Sequence, residues 1–73
     1  MATHIVMDRT GDRRHQFDPR DASELAEAET RFKELTGLGF TAAARTAAGE
    51  TIKVASFDPT AEETLFFPRL VGG

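Results

Sequence analysis

In the first stretch, Thr3 to Asp8 (Thr-His-Ile-Val-Met-Asp), an apolar run of three is flanked by polar residues, and the strand formers there predict a β-strand. Thr10-Gly11-Asp12 carries turn chemistry, and Arg13 to Phe17 returns as a second strand. A two-residue loop would put Ile5 and Met7 opposite Gln16 and Arg14. A three-residue loop puts Ile5 opposite Phe17 and Met7 opposite His15. The second register gathers the apolar groups on one face and is the expected one, because a one-residue slip turns every side chain over. It places His15 toward the core, leaves His4 away from it, and brings Asp8 near Arg14 as a weak exposed pair.

The period then changes. Ala22, Leu25, Ala28, Phe32 and Leu35 recur at helical spacing and form one apolar stripe, with Arg31, Lys33 and Glu34 off it or at its edge. Asp18 is expected as the N-cap and Pro19 as the first helical residue. Gly37 is expected to close the helix with Leu38 folding back, so the helix should run from about Pro19 to Thr36. Phe40 to Thr46 and Thr51 to Phe57 predict a second hairpin around the three-residue loop Ala47-Ala48-Gly49. Phe40, Ala42, Ala44, Ile52 and Val54 should point inward, and Gly49 should supply the left-handed position. Phe57-Asp58-Pro59 repeats Phe17-Asp18-Pro19, with room for one short turn from Thr60 to Glu63 before a last strand. In that strand Leu65 and Phe67 share a face. If they pack under the helix, Phe66 faces out and could seed a partner patch. The fold class is α+β: two hairpins, one helix between them and a closing strand, in a mixed sheet crossed by the helix.

Seventy-three residues allow one small domain with a narrow stability margin. Without cysteine it has neither disulfides nor thiolate metal sites. The net charge is −3 and the seven arginines are scattered, so no basic stripe points to nucleic acid. No apolar run approaches the roughly 20 residues that span a membrane, and Met-Ala-Thr-His lacks the features of a signal peptide. A cytoplasmic monomer is expected. No catalytic constellation or phosphate loop is visible, so the chain reads as a non-enzyme with no cofactor of its own. His4, His15 and Asp8 could form a metal site, but ordinary structural histidines are the simpler reading.

The closing stretch differs from the rest. Arg69-Leu70-Val71-Gly72-Gly73 resembles the R-L-x-G-G terminus of ubiquitin. Ser56-Phe57-Asp58-Pro59, then Glu63-Thr64-Leu65-Phe66-Phe67-Pro68 and the final Gly-Gly, resemble the end of the molybdopterin-synthase small subunit, a sulfur carrier. Both belong to the ubiquitin-like β-grasp superfamily, which includes prokaryotic ubiquitin-like modifiers. The specific resemblance covers about eleven of the 73 residues. The leucine-arginine-glutamate stretch usual after the sulfur carrier's first strand is absent here.

The resemblance implies a β-grasp domain over residues 1–68 and a flexible tail over 69–73, with the last strand central, parallel to the first. It implies that Gly73 ends the chain and that its carboxylate reacts. A partner activating enzyme would use ATP and magnesium to adenylate it. Phe66, Pro68, Arg69, Leu70, Gly72 and Gly73 are the expected partner-binding residues. Further partners would be a conjugating enzyme, an isopeptidase or a sulfur donor. The chain would then be a protein modifier, or a sulfur carrier of the same fold. A small interaction domain with incidental glycines is the remaining alternative.

Overall fold

The computed structural model describes residues 1–68; the expected tail, 69–73, lies outside the described residues. The elements are β1 (Ala2–Asp8), β2 (Gly11–Phe17), α1 (Ala22–Gly37), β3 (Phe40–Arg45), β4 (Thr51–Lys53) and β5 (Glu63–Pro68). They form one five-stranded sheet in the order β2-β1-β5-β3-β4. β5 lies centrally and parallel to β1, as expected, and its other neighbour is the antiparallel β3. Two hairpins, a helix over one face and a central last strand define a β-grasp-like fold.

The first hairpin adopts neither register considered above. Ala2 pairs with Phe17, His4 with His15, Val6 with Arg13 and Asp8 with Gly11. The turn is set by Asp8, whose Oδ1 accepts hydrogen bonds from the Thr10 N–H (2.7 Å) and hydroxyl (2.6 Å). Asp8 Oδ2 meets Arg13, not Arg14, at 3.1 Å. Gly11, at φ 120°, takes the backbone conformation that side chains disfavour. Phe17 therefore sits opposite Ala2 rather than Ile5, an odd slip that turns β1 over while β2 keeps Phe17 inward. Val6 and His4 face the helix, while Ile5 and Met7 take the other side.

The Asp-Pro signal also works differently from expectation. The N-cap of α1 is Asp21, not Asp18: its side chain accepts from Ser23 N (2.9 Å) and Glu24 N (3.1 Å). Asp18 closes a turn instead, with Oδ1 accepting from Arg20 N (2.9 Å) and its carbonyl from Asp21 N (2.9 Å). Pro19 fits the second position of that turn. Asp58 repeats the pattern, accepting from Thr60 N (2.9 Å) and Oγ1 (2.6 Å), with Ala61 N on its carbonyl (3.3 Å). Each Phe-Asp-Pro thus ends with a phenylalanine packed inward and an aspartate-built turn. Asp21→Ala should cost about 1 kcal/mol by removing the cap. A shift in the urea midpoint, with the slope unchanged, checks this.

At the other end of α1 the left-handed residue is Gly39 (φ 101°), not Gly37, and it donates to Thr36 O at 3.1 Å. Leu38 is the C-cap and stays 77% exposed rather than folding back. The second hairpin follows expectation near its loop, with Arg45 opposite Thr51 and Gly49 at φ 85°. β4 is short, but Val54 N still donates to Ala42 O (3.0 Å). Ile52 is half exposed rather than buried.

Beneath α1, Val6, Phe32, Ala42 and Phe66 form one buried cluster. Ala2, Phe17 and Ala28 form another, and Phe57 packs against both. Leu25 and Leu35 flank these clusters, so the helical stripe faces the sheet as expected, whereas Ala22 is exposed.

Candidate functional site

β5 aligns Phe66 with Val6 on one side and Ala42 on the other, all on the helix face. Phe66 is 0% exposed and meets the Phe32 ring edge-on, with centroids 5.7 Å apart. The outward placement expected for Phe66 is therefore corrected: it is a core residue, and no partner can touch its side chain in this fold. Alternation along β5 sends Leu65 and Phe67 to the helix-free face. There one row across the sheet reads Arg14, Ile5, Leu65, Ala43, Lys53. A second row carries Arg45 and Glu63 as a cross-strand ion pair at 3.2 Å.

Pro68 is exposed, opposite Phe40 at the start of β3. Because β5 is central and parallel to β1, Pro68 stands at the end of the sheet where β1 enters its turn at Asp8. Arg69, Leu70, Gly72 and Gly73 lie outside the described residues.

His4, expected away from the core, lies inside it, while His15, paired with it across the hairpin, shares the helix face as expected. His4 is 1% exposed, held edge-on among Phe17, Phe57 and Phe66 at centroid distances of 4.9, 5.9 and 5.0 Å. Neither ring nitrogen has a hydrogen-bond partner among the described residues. Burial, then Arg31 and His15, pushes its pKa down from 6.5 to about 4, so the ring is neutral at pH 7. His15 is only partly buried. Burial, Arg31 and Arg13 lower its pKa as well. Asp8 is committed to Thr10 and Arg13, and among the described residues no group of three or more metal-ligating side chains gathers.

One feature escaped the reading of the sequence. Arg31 flanks the apolar stripe of α1 on the side toward β2, and its Nη1 is buried without a partner among the described residues. Its spacing of three from Ala28 was the available signal.

Compared with known proteins, the chain matches no family model, no curated protein and no solved structure. Among the described residues no helix is long and apolar enough to cross a membrane. The arrangement is that of a small β-grasp-like domain, compatible with an adaptor or carrier.

Proposed function

We propose that this chain is a ubiquitin-like protein modifier whose reacting group is the α-carboxylate of Gly73. The observation that carries the reading is the central β5 of a β-grasp-like sheet, followed directly in sequence by Arg69-Leu70-Val71-Gly72-Gly73. The reading requires Gly73 to be the last residue of the working protein.

In this reading the chain is not itself an enzyme. A partner activating enzyme binds ATP and magnesium. A Gly73 carboxylate oxygen attacks the α-phosphorus, and the bond to the departing pyrophosphate breaks. The acyl-adenylate then loses AMP to a nucleophile. An amine or hydroxyl of another protein yields a conjugate, by way of a conjugating enzyme and reversibly by an isopeptidase. A sulfur donor yields a thiocarboxylate, the second reading, favoured by the stretch from Ser56 to Pro68. Gly72 and Gly73 let the carboxylate pass a narrow channel where a Cβ would crowd it. Arg69 and Leu70 supply a charge and an apolar group for the enzyme to recognise, and exposed Pro68 sits at their root.

ATP–pyrophosphate exchange with the cognate activating enzyme tests this. Gly72→Ala should slow exchange by about a hundredfold, the cost of misplacing a reacting atom by about 1 Å. Its folding stability should move by less than about 0.5 kcal/mol. Deleting Gly72 and Gly73 should abolish exchange. Full exchange after the deletion would leave the plain interaction domain.

A further inference from the structure

Between the C-terminal half of α1 and the β1–β2 hairpin lies a cavity of about 280 Å³. Arg13, His15 and Arg31 supply its basic groups, and Leu35, Leu38 and Phe40 its main apolar wall. Asp8 is the one acid lining it, and that carboxylate is already used: Oδ1 by Thr10 and Oδ2 by Arg13. Arg31 makes no ion pair among the described residues, and its buried Nη1 lacks an acceptor. A guanidinium without a counter-ion favours an anion beside it. Burial first, and then the charges of Arg31 and Arg13, lower the pKa of His15 at the same place. Beside it, Leu38 holds an apolar side chain in water.

We propose that this cavity binds a small amphiphilic carboxylate. Its carboxylate accepts from the Arg31 guanidinium, and its hydrocarbon or aromatic body lies against Leu35, Leu38 and Phe40. A charge-assisted bond to a guanidinium orients the anion, and the apolar wall sets its class. At ~30 Å³ per water-sized group, the cavity has room for about nine such groups, the scale of one ring bearing one carboxylate. This site is independent of the chemistry proposed for Gly73.

Benzoate, its neutral counterpart benzamide and inorganic phosphate are the probes, each titrated into the full chain and followed by backbone amide shifts. Benzoate should give saturable shifts at His15, Leu35 and Leu38, with a Kd on the order of 1 mM. It should also raise the His15 pKa, because the anion offsets the field of Arg31 and Arg13. Arg31→Gln should weaken benzoate by at least about tenfold. Leu38→Ser changes an exposed side chain outside the core and should weaken benzoate even if Arg31→Gln fails to fold. Absence of saturable shifts, equal binding of benzamide, or unchanged affinity in Leu38→Ser would overturn the proposal. Phosphate binding as tightly as benzoate would overturn its apolar half.

Discussion

Phe66→Ala should leave the domain largely unfolded at 25 °C. The ring is fully buried, packed against Phe32 and near His4. Its removal should cost about 3–5 kcal/mol. A single core in a chain of this size rarely supplies more than about 3–5 kcal/mol in total, so the loss approaches the whole margin. Phe67→Ala, one residue along but on the helix-free face, should cost clearly less. Urea melts followed by circular dichroism compare the two. If Phe66→Ala cost under about 1 kcal/mol, the placement of β5 would be wrong.

Acid should act almost as strongly, through His4. In the unfolded chain the ring titrates at its ordinary 6.5, while in the fold it resists protonation until about 4. Above pH 6.5 it is neutral in both states and stability is unaffected. Between 6.5 and 4 the unfolded chain takes up a proton that the fold refuses, so stability falls as pH falls. At about 1.36 kcal/mol per pKa unit the loss reaches about 3 kcal/mol near pH 4. His15 adds to it in the same direction. Asp8, Asp18 and Asp58, each lowered by hydrogen bonds from the residue two positions on, add their losses only below about 3.8. His4→Leu should flatten most of the decline between pH 6.5 and 4, and it also removes an unpartnered ring N–H. Stability measured by urea at several pH values checks this. Equal acid sensitivity of wild type and His4→Leu would contradict it.

The reason these residues were hard to place in advance is physical. The α1 stripe and the Ala47-Ala48-Gly49 loop are local patterns, set by helical period and by one left-handed glycine, and both were legible. The first hairpin depends on Asp8 choosing Thr10 and Arg13, and that choice exchanged the faces of β1, moving His4 into the core. In β5, Leu65-Phe66-Phe67 is apolar throughout and carries no alternation to read; only Val6 and Ala42 on the neighbouring strands decide that Phe66 turns inward. Asp18 and Asp21 are both competent caps, and a proline turn gives the role to the second. The tail was legible only as a motif, and its contribution rests on chemistry beyond the described residues. The Arg31 cavity draws on α1, β1, β2 and β3 together, so no one stretch of sequence announces it.

The central claim is that Gly73 is joined through its carboxylate to something else. Trypsin cuts after Arg69, so a modified lysine on a target would carry a Leu70-Val71-Gly72-Gly73 remnant. The most direct measurement is mass spectrometry of tryptic digests from cells expressing a tagged chain, alongside the intact mass of the purified protein. The account predicts that remnant on lysines of other proteins, and its absence when Gly72 and Gly73 are deleted. A thiocarboxylate in the intact mass with no remnant would contradict the modifier and select the sulfur carrier. A chain that carries neither, and whose truncated form keeps full biological activity, would contradict the carboxylate chemistry altogether.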